Sequence, residues 1–182
     1  MVSVKTEKIL GEERRNLLLD ILSKADKPIT GGELASTTNV SRQVIVQDVS
    51  LLKAKNYPIM ATSQGYVFLN NQHDQTKLVE RIIACKHAPE RTKEELSILV
   101  DHGVVVKDVI VEHQVYGELT ASIMVGNRND VNEFIKKINR YNASYLSQLT
   151  GGLHLHTLQA DSLDKIDLAC KALDEEGFLV KE

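Results

Sequence analysis

Apolar positions recur at helical spacing through GEERRNLLLDILS, residues 11–23, where Leu17, Leu18, Ile21 and Leu22 follow an acidic first turn. Lys27 and Pro28 end that pattern. Thr30 followed three residues later by Glu33 is a capping box, which predicts a second, short helix with Leu34 and Ala35 turned inward. After a turn at Thr38-Asn39-Val40, Ser41 caps a third helix, SRQVIVQDVSLLKAKN. Its apolar positions are Val44, Ile45, Val49, Leu51 and Leu52, with Arg42, Gln43, Gln47 and Asp48 outside that set. Two β-prone runs, Ile59 to Ser63 and Tyr66 to Leu69, flank Gln64-Gly65 and read as a hairpin. Three helices closed by a hairpin predict a winged helix-turn-helix over residues 1–70.

Residues 70–76, NNQHDQT, are wholly polar and read as a linker. Beyond it the periodicity alternates between two and 3.6. Strands are predicted at Lys77–Lys86, Val104–His113, Tyr116–Val125 and Leu153–Gln159, and helices at Thr92–Asp101, Asp130–Tyr141 and Ser162–Glu176. The order βαββαβα over residues 77–182 fits a ferredoxin-like βαββαβ sandwich with one added helix, so the chain as a whole is α+β. In that order the first and last strands can lie close together.

Composition narrows the function classes. The chain has 182 residues, 42% of them apolar, and a net charge of -3. Residues 1–71 carry nine Lys/Arg against seven Asp/Glu, a net of +2, which leaves 13 against 18, a net of -5, for residues 72–182. DNA binding by the first part is therefore permitted through local placement of charge, and the second part is expected to do something else. The two cysteines, Cys85 and Cys170, form no CxxC pair, which argues against a disulfide framework. With no bilayer-length apolar run and no signal-peptide core, the expected compartment is the cytoplasm, with no membrane partner.

A helix that reads DNA offers polar side chains near its N-terminus to the major groove while its back stays apolar. Residues 41–47 meet that need. Ser41 suits a phosphate contact, Arg42 a phosphate or guanine, and Gln43 and Gln47 can reach base edges, adenine above all. Arg14, Arg15, Lys53 and Lys55 are expected as clamps on the DNA backbone, and the hairpin tip at Ser63–Gly65 as a minor-groove contact. The same pattern also suits a solvated face of a winged helix used for protein contacts.

In the second domain GGLHLHT, residues 151–157, sets His154 and His156 on one face of a strand and Leu153 and Leu155 on the other. Two imidazoles do not hold a metal by themselves, because a transition ion takes three or four nitrogen, oxygen or sulfur ligands. His87, at the end of the first predicted strand, is the best third ligand. Glu95, eight residues later on the first turn of the next helix, can face back toward it. Simpler roles compete: Thr92-Lys93-Glu94-Glu95 is itself a capping box, His87 can be a surface residue, and the histidine pair a half-exposed strand face. There is no HExxH, GxSxG or P-loop, so a metal hydrolase fused to a helix-turn-helix is disfavoured and no enzyme is expected.

The segments ACKHAPERTKEEL and ASYLSQLTGGLHLHT resemble the three-histidine (3H) domain. Their position behind a winged helix resembles the nicotinate-responsive transcriptional repressors of NAD biosynthesis and niacin uptake. The resemblance covers residues 6–180. It implies a divalent transition metal, nickel, zinc, iron or cobalt, held by His87, Glu95, His154 and His156. It also implies a homodimer on a palindromic operator, with nicotinic acid as co-repressor bound by the second domain. For that ligand Tyr141 and Tyr145 are expected to wall the ring, and the backbone of Thr150, Gly151 and Gly152 to donate to its polar end. The alternative is a metal-responsive repressor with no organic effector.

Overall fold

A computed structural model of the chain describes residues 10–69 and 78–180; the expected linker at 70–76 lies outside them. The chain divides into two compact units, residues 1–73 and 74–182.

The first unit contains three helices, α1 (Gly11–Ser23), α2 (Gly31–Thr37) and α3 (Arg42–Ala54), and a hairpin of β1 (Ile59–Ala61) and β2 (Tyr66–Phe68). The predicted capping box is present, with the Glu33 N–H donating to the Thr30 hydroxyl and Thr30 N–H to the Glu33 carboxylate. Ser41 caps α3 by accepting from the Val44 N–H. Leu18, Leu22, Leu34, Ile45, Val49 and Leu52 fill the core, each contributing on the order of 1.5–3 kcal/mol by leaving water. Leu51 does not join them and is exposed. The inward position that periodicity would give to an apolar residue belongs to Asp48, expected on the polar face. The hairpin is tied down by a further bridge, Ile29 to Tyr66. Gly65 makes that possible, because its φ of +146° suits glycine and a Cβ there would run into the Ile29 carbonyl.

The second unit has the predicted order: β3 (Val79–Lys86), α4 (Thr92–Asp101), β4 (Val105–His113), β5 (Gly117–Val125), α5 (Arg128–Tyr141), β6 (Leu153–Ala160) and α6 (Leu163–Glu175). The four strands form one sheet in the order β3-β6-β4-β5, antiparallel throughout. The first and last strands are neighbours, with Cys85 opposite His154 and Ile83 opposite His156. The helices pack on one face around Leu96, Leu99, Val106, Leu158, Ile166 and Phe178. The C-terminal segment returns to the outer edge of β3, where Leu179 bridges Cys85. Two short 3-10 turns, Pro89–Arg91 and Leu146–Thr150, were not predicted; they precede α4 and β6 and set the positions of the residues that converge below.

Candidate metal centre

His154 and His156 sit on the inward face of β6, because His156 and Leu158 alternate with outward-facing positions and the core receives the even-numbered side of the strand. His87 lies one residue past β3 and Glu95 one turn into α4. The capping box expected at Thr92–Glu95 does not form. The 3-10 turn starts the helix early, its N-cap is Arg91 with no side-chain cap, and the Glu95 carboxylate turns away from the helix end toward the sheet.

All four side chains are buried, Glu95 completely and each of His154 and His156 to 3% exposure. Glu95 Oε2 stands 2.8 Å from His87 Nε2 and 3.4 Å from His156 Nε2, and Oε1 stands 3.3 Å from His154 Nε2. His87, Glu95 and His154 offer donor atoms that all lie within 4.8 Å of one another. His156 joins through its approach to Glu95.

The far sides of the three rings fix their protons. Nδ1 of His87 faces the Ala88 carbonyl at 2.8 Å, Nδ1 of His154 the Gly152 carbonyl at 2.8 Å, and Nδ1 of His156 the Asp108 carbonyl at 2.6 Å. A carbonyl only accepts, so each Nδ1 carries a hydrogen, and in a neutral imidazole Nε2 is then a bare lone pair. Three lone pairs and a carboxylate thus converge inside the protein with too few protons among them. Of the buried side-chain polar atoms without a hydrogen-bond partner among the described residues, three of four belong here: Glu95 Oε1, His156 Nε2 and Thr92 Oγ1. Such a group of acceptors is stable only around positive charge.

The electrostatics show the same demand for positive charge at Glu95, which a proton on an imidazole also answers. Burial pushes the Glu95 carboxyl up, but the three imidazoles outweigh it and hold the group well below the usual carboxylate range. Burial pushes His87 and His156 down, yet the facing Glu95 raises both above the ordinary histidine value. Three imidazoles with one carboxylate are a donor set that zinc, nickel, iron or cobalt accepts, and backbone carbonyls behind each ring orient it as they do in metal sites. The residues therefore fit a divalent transition ion.

Other features of the site were not legible from spacing. The Asp108 carbonyl is free to meet His156 because β4 shifts register between Val106 and Ile110, and a bulge releases a carbonyl from the ladder. Gly152, at φ +93°, lets the β6 entry press on the His87 backbone, where a Cβ would collide with the His87 carbonyl. A small cavity of about 30 Å³ adjoins the site, lined by Thr92, Val109, Ile123, Phe134 and Tyr145. Its walls are mostly apolar.

Tyr145 is thus at the site as expected, but Tyr141 is not: it ends α5, is 65% exposed and lies under Arg140. The backbone donors expected for a ligand are also engaged elsewhere. The N–H groups of Gly151 and Gly152 both go to the Ser147 carbonyl, and the Thr150 hydroxyl lies between the Ser147 and Leu153 carbonyls, to which its one hydrogen can donate. Two further histidines are bound locally, His102 to the Ile98 carbonyl and His113 to the Val115 and Tyr116 N–H groups. His73 lies outside the described residues.

In the first unit Ser41, Arg42, Gln43, Gln47 and Lys53 are all exposed on α3 or its cap. Arg14 and Arg15 are not clamps facing outward. Both turn to Asp48, at 2.5 and 3.3 Å, and Arg14 is buried with it. The hairpin tip, Ser63 to Gly65, is half-buried.

The chain matches two known families, an HTH domain over residues 14–67 and the 3H domain over residues 80–182. It is 61% identical over 175 residues to the transcription repressor NadR of Bacillus subtilis, covering 96% of this chain and 97% of that one. The chain belongs to the 3H-domain transcription repressors. A second member, the probable transcription repressor NiaR of Thermotoga maritima, is 39% identical over 175 residues, 96% of this chain and 98% of its own. The 3H-domain repressors are DNA-binding regulators rather than enzymes, and no helix among the described residues is long and apolar enough to cross a membrane.

Proposed function

We propose that this repressor controls genes of NAD biosynthesis or niacin transport, binding a palindromic operator as a homodimer, with nicotinic acid as co-repressor. In this reading His87, Glu95, His154 and His156 hold a divalent transition ion. The observation that carries it is the convergence of three Nε2 lone pairs on one buried carboxylate beside an apolar cavity. Such an ion supplies an open coordination position, for which a pyridine nitrogen or a carboxylate is a competent ligand.

The protein's own groups set the rest. Tyr145 and Phe134 offer the ring an apolar wall, and the Thr92 hydroxyl, which lacks a partner, can donate to an acceptor entering beside Glu95. A cavity of about 30 Å³ has the volume of one water. A ring enters only if part of the wall yields, and the 3-10 turn at Leu146–Thr150 is the wall segment that belongs to neither the sheet nor an α-helix. Arg42, Gln43 and Gln47 meet the major groove, with Ser41 and Lys53 on phosphates. By linkage, whatever factor nicotinate adds to operator affinity, operator adds to nicotinate affinity.

The test is a fluorescence-anisotropy titration of DNA from upstream of a NAD-biosynthesis or niacin-transport gene, with metal-loaded and metal-stripped protein, with and without nicotinate. Tightening of about tenfold or more by nicotinate, a coupling within the usual allosteric range, in the loaded protein only, is expected. Full affinity with metal alone would instead make the ion itself the effector.

A further inference from the structure

The strand that carries the histidines is folded with its polar side in. His154 and His156 face the helices, while Leu153 and Leu155 face away, Leu153 at 44% exposure. The neighbouring strand repeats the inversion: Ile82 is 60% exposed, and Ala84 lies beside Leu155 in register. On the other flank Ile110 of β4, itself buried at the floor of the band, stands opposite Leu155. A band of apolar side chains thus runs across β3, β6 and β4 on the face of the sheet on which none of the described helices of this unit packs. A groove of about 830 Å³ runs over it, walled by the exposed Leu149 and Val115.

We propose that this face is where two copies of the chain associate. The proposal rests on the reading that the repressor works as a dimer, and it names the surface. An exposed apolar patch of several hundred Å² ringed by polar groups marks an association site. Three strands, β3, β6 and β4, about 4.8 Å apart and six residues deep at about 3.3 Å each give roughly 300 Å² in plane, which the groove walls and the polar outer positions of β5 extend toward the ~800 Å² per partner of a stable interface.

The charges around the band suit a second copy. Lys86 is exposed on the β3 edge and Glu118 on the β5 edge. A twofold axis along the strands places Leu155 of each copy over Ile110 of the other and brings Lys86 toward Glu118. Lys107 and Glu80 already pair at 2.7 Å beyond the band, closing one end with a polar contact.

The test is sedimentation velocity on the full-length protein and on Ile82→Glu, Leu149→Glu and Leu168→Glu. Leu168 is an equally exposed leucine, at 58%, but on α6, on the helical side of the sheet. The wild type and Leu168→Glu are expected to be dimers. The other two variants are expected to raise the dimer dissociation constant about 100-fold or more, as a charge at an interface centre does, with unchanged circular dichroism. A monomeric wild type, a dimer that survives both substitutions, or equal dissociation by Leu168→Glu overturns the proposal. Nicotinate calorimetry on the same metal-loaded samples reports on the sensor separately.

Discussion

Each unit buries one carboxylate, and the two have opposite surroundings. Asp48, on the inner face of α3, meets guanidinium groups from Arg14 and Arg15 of α1. Its charge is balanced within the fold, and the ion pair links α3 to α1. Glu95, completely buried, meets three imidazole nitrogens whose hydrogens are committed elsewhere. A buried charge with its partner present is architecture; one surrounded by further acceptors calls for added positive charge, and so is a candidate for binding an ion.

Breaking each carboxylate separates the two roles. Asp48→Ala removes the carboxylate that faces the buried Arg14 guanidinium, and calorimetric unfolding is expected to show the first unit destabilised by about 3–5 kcal/mol. That loss should be the same with and without a chelator. Glu95→Gln is expected to lower metal affinity at least about 100-fold, beyond the 10–100-fold typical of supporting residues, as read by equilibrium dialysis. Here the metal-free protein should keep or gain stability, since an amide N–H can donate to one of the crowded Nε2 atoms; a large loss in the stripped state would make Glu95 the counterpart of Asp48. Gln47→Ala touches neither carboxylate. It should weaken operator binding by about 1–3 kcal/mol and relax selectivity at one base position, with no shift in either unfolding transition. The smallest effect is that of Ser41→Ala, about 1 kcal/mol of stability from the lost N-cap, measurable by urea unfolding.

The comparison also explains what could be read in advance. Periodicity placed every helix and strand of the second unit, and the capping residues Thr30 and Ser41 marked α2 and α3, because these signals are local. It assigned Asp48 to the polar face and Arg14 and Arg15 to the DNA, because sequence shows a charge but not the charge across from it, here 34 and 33 residues away. Thr92–Glu95 failed in the opposite way. The capping-box pattern was present, but the unforeseen 3-10 turn at Pro89–Arg91 shifted the helix start and freed Glu95 for the sheet. Tyr141 and Tyr145 looked equivalent four residues apart, and only the turn of the chain after α5 put one at the site and left the other in water.

By itself the sequence determined the order of helices and strands and the alternation on β6 that pairs His154 with His156. Tertiary structure decided that the histidine side of that strand faces inward and the leucine side outward. It also supplied the Ala88, Gly152 and Asp108 carbonyls that fix the three ring protons. Strand alternation is a property of the backbone and is written locally. Which side becomes the interior depends on what packs against the sheet, and the chemistry of an imidazole depends on the partner of its other nitrogen, so both are settled only when distant segments meet.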